Sequence, residues 1–309
     1  VSTVCVSKRK LVEPVNLDGV AVDRISAFLV AGSEDDDPVP LAANRGRAAQ
    51  GPIFPTHQQI SAGKGALPLD LVRRVEDEHP ELLGRIRSYM GGDEFLEDPG
   101  QRPVRWVVDL DGFTLEEAGS GAEFLLRQVE AAFLGSGGGK GISDISRRRA
   151  EQFWLPSAAA RSARAIMDSQ ERFLMHPFTA SYLSFAFLPR GILVGGPHNV
   201  FAIDDYSEFA VLQSRVHEIW VKFFGSTLED RQRYTLTDCF APFPFPAVTP
   251  GRQAAIAYYD FRASLMERNQ EGLTRIYSRF HDPNEREAAI LKLRELHATM
   301  DSAVLDAYG

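Results

Sequence analysis

The chain has 309 residues, enough for one large domain or two ordinary ones, and its apolar content of 44% and charged content of 25% are typical of soluble globular proteins. The net charge of -8 argues against a general nucleic-acid binder, which usually has a basic balance. Only two cysteines occur, Cys5 and Cys239, and their wide separation excludes a disulfide framework and a four-ligand zinc site. A reducing, cytoplasmic setting is therefore favoured. The sequence has no run of about 18 apolar residues, which predicts no membrane span.

The first third of the chain mixes extended segments, one long loop and short helices. It begins at Val1 rather than methionine, and we therefore expect a piece of a longer protein. Residues 31–66, rich in Gly, Pro, Ala and Asp, are predicted to form a surface loop. Residues 67–90 have a helical pattern that Pro80 divides in two, and a turn is predicted at 90–95. The predicted strands are residues 1–12, 20–30 and 104–110.

Helices and then strands are predicted in the middle of the chain. A capping-box pattern at Thr114–Glu117 begins a helix, and a glycine-rich break follows at 135–141. Further helices are predicted over residues 147–154 and 158–167. The pattern then becomes that of β-structure. The predicted strands of this part are residues 182–188, 192–194 and 199–203.

One long helix with an apolar stripe is predicted after Asp205. Apolar residues that recur at steps of three and four lie on one helical face, which predicts packing on a core. These residues are Phe209, Leu212, Val216, Ile219 and Phe223. Asp204 or Asp205 can cap the first turn, and Gly225 suits a left-handed end. Predicted helices over 254–268, 271–280 and 284–308 make the rest of the chain nearly all helical.

No catalytic constellation is visible in the sequence. Asp109 and Asp111 after a strand are similar to the opening motif of haloacid-dehalogenase phosphatases, in which one aspartate is the nucleophile and the second an acid/base. The later Lys and Gly-Asp-Gly pair of those enzymes is missing, and a turn at Asp111 explains the motif. The glycine run 135–141 lacks the spacing of a phosphate loop, and His217 is interpreted as a structural histidine. We therefore expect no catalytic residue, metal site or cofactor in this chain.

Arginines near aromatic residues are the candidate contacts for a polyanion. Arg147–Arg149 precede Trp154, and guanidinium groups bind phosphates in a forked geometry while aromatic rings stack on bases. A solvated run of charge explains the same pattern, because three adjacent arginines point to different sides of a helix. Arg231 and Arg233 alternate and would share one face if their segment is extended.

The second half of the chain resembles a known family. Three stretches carry the resemblance most clearly: Ala-Val-Leu-Gln-Ser-Arg-Val-His-Glu-Ile-Trp at 210–220, Arg-Tyr-Thr-Leu-Thr-Asp-Cys-Phe at 233–240 and Phe-Pro-Phe-Pro at 243–246. They are similar to large adenine-specific DNA methyltransferases, the MmeI-like enzymes of type II restriction–modification and related phage-defence systems. The resemblance covers most of the chain and is weakest between residues 110 and 175. It continues at 271–277, 279–283, 293–297 and 300–309 and reaches back to 17–19, 24–28, 90–94 and 105–109.

The resemblance implies that the catalytic part lies outside this chain. In that family a preceding domain binds S-adenosylmethionine, and an Asn-Pro-Pro-Tyr motif holds the flipped adenine. Neither that motif nor a glycine-rich cofactor turn occurs here. The chain is therefore similar to the target-recognition domain and helical C-terminal extension, which read a DNA sequence and place the target base before the methyltransferase. S-adenosylmethionine is expected in the missing catalytic domain and no cofactor in this chain.

The sequence thus predicts an α+β fold, with a mixed-sheet target-recognition domain and packed helices over residues 1–246 and a helical C-terminal extension over 247–309. The expected partners are double-stranded DNA, the methyltransferase catalytic domain and other defence-system proteins. The alternative is an interaction module that docks other defence proteins without touching bases, which the acidic charge and the helical tail support. The predicted DNA-binding residues are Arg147, Arg148, Arg149, Trp154, Arg161, Arg172, Tyr182, Arg231 and Arg233.

Overall fold

The computed structural model describes residues 15–26, 31, 38–54, 56–61, 66–111, 120–135, 160–196, 198–228 and 231–309. The chain divides into two compact units, Val1–Val39 and Pro40–Gly309. In the first unit, strands β1 (Val15–Leu17) and β2 (Val20–Val22) form an antiparallel hairpin. Asp18 and Gly19 between them have φ values of 50° and 86°, the left-handed conformation that a two-residue hairpin turn requires.

The second unit contains three β-sheets within its described residues. Its strands are β3 (Ala48–Gln50), β4 (Gln59–Ile60), β5 (Ile86–Met90), β6 (Arg105–Val108), β7 (Arg172–Pro177), β8 (Thr179–Ala180), β9 (Ala186–Pro189), β10 (Leu193–Val194), β11 (His198–Phe201), β12 (Ser226–Leu228) and β13 (Arg231–Arg233). Sheet 1 has the order β10-β5-β6-β4, sheet 2 the order β3-β11-β7-β9, and sheet 3 the order β12-β13-β8. Only the pairing of β5 with β10 is parallel among these described strands.

Helices cover the sheets and make the C-terminal part of the chain. They are α1 (Leu71–Glu78), α2 (Gly92–Glu97), α3 (Ser120–Gly135), α4 (Ala160–Ser169), α5 (Tyr206–Gln213), α6 (Arg215–Phe224), α7 (Arg252–Asn269), α8 (Leu273–His281) and α9 (Ala288–Tyr308). The predicted α+β fold with a helical C-terminal end is confirmed. No helix in the described part of the chain combines the length and the apolar character that crossing a membrane requires.

Two apolar cores hold the second unit together. The larger joins sheet 2 and one face of sheet 1 to α4–α9, and a smaller one packs the rest of sheet 1 on α1 and α3. Each fully buried large apolar side chain, such as Phe201, Phe209 or Leu293, contributes about 1.5–3 kcal/mol relative to an exposed one. The C-terminal helices share the larger core with the sheet, since α7 packs on α5 and α9. The division into two domains at residue 246 stays a prediction.

The predicted long helix after Asp205 is two helices that meet at Ser214. Asp205 caps the first, as predicted, and its carboxylate accepts a hydrogen bond from the amide of Ser207 at 2.7 Å. Ser214 has extended dihedral angles and caps the second helix. Beyond the break the predicted stripe is wrong in part: Val216 is half-buried against the larger core, whereas Ile219 is 62% and Phe223 42% exposed.

Gly225 ends α6 for a different reason from the one predicted. Its φ of -73° is extended rather than left-handed. A Cβ atom at this position would lie 2.4 Å from the carbonyl oxygen of Val221 and 3.2 Å from Sγ of Cys239. The glycine is therefore required by a close approach of the backbone.

Ser214→Ala is expected to lower the free energy of unfolding by about 1–2 kcal/mol, because this fully buried hydroxyl donates to the carbonyl oxygen of Val211 at 2.7 Å and caps α6. Urea denaturation measures the change. Ser302→Ala is the matched control, since the exposed Ser302 hydroxyl only bonds back to its own helix. A change at Ser302 within about 0.5 kcal/mol is expected, and equal effects of the two substitutions would contradict the cap at Ser214.

The predicted surface loop at 31–66 is wrong in part, because it contains β3 and β4. The strand β3 forms the edge of sheet 2 by pairing with β11. The side-chain amide of Asn44 donates to the carbonyl oxygens of Phe240 at 3.1 Å and Phe243 at 2.7 Å. Contacts with residues distant in sequence thus give regular structure to parts of the segment 31–66, whose local composition indicates only turns.

Other differences from the predicted elements also arise from tertiary packing. Residues 86–90 form β5 instead of ending a helix, and residues 92–97 form α2 instead of a turn. The strand β7 was not predicted, because five of its six residues are buried and it therefore shows no period-two alternation. The predicted strand at 104–110 and helix at 158–167 are confirmed by β6 and α4. The capping box at Thr114–Glu117 lies outside the described residues.

Candidate nucleic-acid interface

Sheet 3 presents two of the predicted arginines on one exposed face. In β13 the residues alternate, so that Arg231 and Arg233 are exposed while Gln232 between them is half-buried. The register pairs Arg231 with Leu228 and Arg233 with Ser226, both of which are exposed. Residues directly opposite in an antiparallel pair lie on the same face. The predicted shared face of Arg231 and Arg233 is therefore confirmed.

The ring of Phe178 supports the guanidinium of Arg233. Phe178 lies between β7 and β8, and its ring centroid is 4.8 Å from Cζ of Arg233. A guanidinium over an aromatic face is stabilised by about 0.5–1 kcal/mol at an exposed site. Phe178 is not predictable from the sequence, because no spacing pattern connects residue 178 to residue 233.

The other face of β13 is fixed to the core. The side-chain amide of Gln232 donates to the carbonyl oxygen of Val221, at the end of α6, at 2.7 Å. Tyr234, which directly follows β13, is fully buried. Its amide donates to the carbonyl oxygen of Phe178 at 2.8 Å, and its carbonyl oxygen accepts from Nδ2 of Asn199 at 3.0 Å. The arginines thus alternate with residues that are bonded inward.

The phenol of Tyr234 meets a buried imidazole. Its hydroxyl lies 2.9 Å from Nε2 of His217, and its ring packs edge-on against those of His176 and Phe185. Burial lowers the pKa of His217 to about 3 and that of His176 to about 4, and it raises the pKa of Tyr234 well above its usual range. Both imidazoles are therefore neutral at neutral pH and the phenol keeps its proton. His217 has the structural role that the sequence predicted.

The other predicted contacts lie on different elements. Arg161 is exposed on α4. Arg172, on β7, donates twice to the carbonyl oxygen of Asp204, at 3.0 and 2.6 Å, and its guanidinium lies 4.0 Å from the ring centroid of Phe187. Tyr182 stacks on the imidazole of His281 with centroids 4.9 Å apart. Arg172 and Tyr182 thus have partners within the protein, and their DNA contacts stay a prediction.

The basic segment Arg147–Arg149 and Trp154 lie outside the described residues. Arg164, one helical turn after Arg161, is buried and donates to the carboxylate of Asp109 through both terminal nitrogens, one of them at 2.8 Å.

The ion pair between Arg164 and Asp109 argues against phosphatase chemistry at the end of β6. The carboxylate of Asp109 is held by Arg164 and also accepts a hydrogen bond from the amide of Asp111 at 3.1 Å, as in a turn. Nε of Arg164 lies 3.2 Å from the carboxylate of Asp111. Within the ranges that the structure describes, no group of His, Cys, Asp and Glu side chains could hold a metal ion.

Sequence comparison identifies the family of the chain. Residues 58–247, more than half of the chain, match the family described as MmeI, target recognition domain. The chain belongs to the MmeI target recognition domain family. The matched range extends from β4 to beyond β13 and so contains sheet 3 of this MmeI-type domain. No match was found among curated proteins.

A solved structure has the same fold. It is the type IIL restriction-modification enzyme MmeI in complex with DNA, which is similar to this chain with a TM-score of 0.61 and 20% sequence identity. The similarity covers 94% of this chain and 36% of the enzyme's chain, so the present MmeI-type domain corresponds to only part of that enzyme.

Proposed function

We propose that the chain binds duplex DNA as the target recognition domain of an MmeI-type restriction-modification enzyme. The observation that carries this proposal is the outward pair Arg231 and Arg233 on the short hairpin β12–β13, within the range that matches the family. A two-stranded ribbon fits the major groove of B-DNA, and a guanidinium donates two hydrogen bonds to O6 and N7 of guanine or to a phosphate.

The acidic balance of the chain is compatible with this function. Local charge rather than net charge decides where a polyanion binds. In the proposed complex, sheet 3 supplies base or phosphate contacts, and Arg161 and the basic segment Arg147–Arg149 supply further phosphate contacts. Methylation of adenine with S-adenosylmethionine is proposed for the catalytic domain of the parent enzyme, and the present chain positions the DNA for it.

Arg231→Ala and Arg233→Ala are each expected to weaken DNA binding by about tenfold or more, because a bidentate contact contributes about 1–3 kcal/mol. The probe is a randomised duplex library, from which the 309-residue chain selects sequences before affinity is titrated at several salt concentrations. Loss of a phosphate contact lowers the salt slope by about one, whereas loss of a base contact relaxes the preference at one position.

Arg275→Ala is the matched control, because it removes the same charge from the exposed surface of α8, where the side chain is 68% exposed. It is expected to leave affinity and selected sequence unchanged. If Arg231→Ala and Arg233→Ala bind and select as the unmodified chain does, sheet 3 is not the DNA interface.

The alternative function, an interaction module without base contact, has one observation in its favour. The α6 residues Ile219, Trp220 and Phe223 form an apolar surface with Pro244 and Tyr308, and Ile219 is 62% exposed. Isolated exposed apolar residues are common, but a contiguous group indicates a protein contact. A chain that selects no sequence from the duplex library would favour this alternative.

A further inference from the structure

The hairpin that carries the arginines is too short to hold its own geometry. Strands β12 and β13 have 3 residues each, and β8 adds only 2. An isolated two-stranded hairpin is marginally stable at best, and a slip of one residue turns every side chain to the opposite face. The direction of Arg231 and Arg233 must therefore be fixed by residues outside the ladder of sheet 3.

Tyr234 has the contacts that such a role requires. Each of its three polar groups is bonded to a different element: the amide to the corner between β7 and β8, the carbonyl oxygen to Asn199 of β11, and the hydroxyl to His217 of α6. The residue is fully buried, and so are Asn199 and His217 to within 1%. Hydrogen bonds to three different elements restrain the backbone and the ring of Tyr234, and thereby the peptide that joins it to Arg233.

Phe178 connects this buried cluster to the exposed surface. Its carbonyl oxygen accepts from the amide of Tyr234, and its ring lies under the guanidinium of Arg233. The hydrogen bond between the backbones of Tyr234 and Phe178 therefore fixes the position of the Phe178 ring relative to Arg233. A displacement of Tyr234 would move the backbone of Arg233 relative to the ring on which its side chain rests.

We propose that Tyr234, held by His217, is a positioning residue that sets the direction in which Arg231 and Arg233 meet DNA. It touches no base or phosphate itself. The inference rests on the proposed function, because Tyr234 can direct Arg231 and Arg233 toward DNA only if these two arginines bind it. Core packing alone does not explain the hydroxyl bond to His217, since a phenylalanine would fill the same volume.

The test compares single-atom changes with a matched control. Tyr234→Phe removes the hydroxyl. His217→Leu removes the imidazole that bonds it and substitutes an apolar side chain of similar size. His217→Gln restores a polar group that can reach the hydroxyl. The control is Tyr258→Phe, because Tyr258 is equally buried and its hydroxyl lies 2.6 Å from that of Tyr277, on α7 and α8. Thermal unfolding of each variant measures the purely structural cost.

The readout is the position-by-position preference of the 309-residue chain in the randomised duplex library. The base pairs whose preference is lost in Arg231→Ala or Arg233→Ala define the positions that sheet 3 reads. At these positions, Tyr234→Phe and His217→Leu are expected to lower the preference by about tenfold. At all other base-pair positions, Tyr234→Phe and His217→Leu are expected to keep the preference of the unmodified chain. His217→Gln and the Tyr258→Phe control are expected to keep it at every position.

Two outcomes would overturn the positioning role while leaving the proposed function in place. In one, Tyr234→Phe and His217→Leu lower the preference at all positions alike, as a general loss of folded protein does. In the other, they match the Tyr258→Phe control. If the two arginine variants lose affinity but keep every preference, sheet 3 contacts only phosphates, so the DNA-binding function stands and the positioning role fails. If the unmodified chain selects no sequence, or the two arginine variants bind and select as it does, the proposed function of sheet 3 fails and the positioning role fails with it.

Discussion

Arg262→Ala is expected to lower the free energy of unfolding by about 3–5 kcal/mol, one of the largest effects available to a single substitution in this chain. Arg262 lies on α7 and is 1% exposed. Its guanidinium donates to the carbonyl oxygen of Phe185 at 2.7 Å and to the hydroxyl of Tyr277 at 2.8 Å. Truncation leaves that carbonyl oxygen without its donor and opens a cavity between α7 and sheet 2.

Chemical denaturation of Arg262→Ala beside Arg268→Ala tests this expectation. Arg268 lies on the same helix but is exposed, so its replacement is expected to change stability by no more than about 0.5 kcal/mol. Among the residues that the structure describes, no carboxylate accepts a hydrogen bond from the guanidinium of Arg262, and its burial therefore costs desolvation. If Arg262→Ala costs less than about 1 kcal/mol, that desolvation offsets the hydrogen bonds and the packing.

Stability is expected to fall steeply as the pH is lowered below about 6.5. The pKa of His217 is lowered to about 3 and that of His176 to about 4 by burial, whereas both titrate near 6.5 in the unfolded chain. As the pH falls through this window, the unfolded state binds protons that the folded state does not, so the unfolded state gains stability. Each histidine contributes a slope of up to about 1.4 kcal/mol per pH unit, present below 6.5 and absent above it.

Urea denaturation between pH 7.5 and 4.5 measures this slope. His217→Gln removes one of these groups and is expected to reduce the slope by up to about 1.4 kcal/mol per pH unit. Glu285, whose pKa is lowered to about 2 chiefly by a backbone hydrogen bond from Glu287, lowers stability only as the pH falls through its unfolded pKa of about 4.3, so its contribution is confined to the lower end of this range. A free energy of unfolding that stays constant from pH 7 to pH 5 would mean that the imidazoles become protonated inside the folded protein.

Local sequence patterns predicted the elements whose cause is local. The C-terminal helices and the cap at Asp205 follow from apolar periodicity and from a side chain that bonds its own first turn. The helix break at Ser214 was missed, because its serine could be accommodated within a continuous helix and the apolar steps continue across it. The hydroxyl bond of Ser214 and the burial of His217 against Phe243, with ring centroids 4.2 Å apart, favour the break.

The exposed residues of the candidate interface were predictable from the sequence, whereas the residues that hold the hairpin in place were not. Alternation alone placed Arg231 and Arg233 on one face, and the structure confirms that arrangement. Asn199 and Phe178 could not be found in the same way, because they contact Tyr234 from 35 and 56 positions away in the chain. Contacts of this kind exist only after sheet 2 and α6 have packed together.

Alternation along β13 has an evolutionary consequence. Exposed positions accept most substitutions at a cost of about 0.5 kcal/mol, or about 1 kcal/mol where a ring contact such as that of Arg233 with Phe178 is lost, whereas Gln232 and Tyr234 carry bonds to the core. New side chains at positions 231 and 233 can therefore arise singly, without compensating mutations elsewhere. If these two residues read DNA, descendants of this gene can acquire a different target sequence while inheriting the same folded domain.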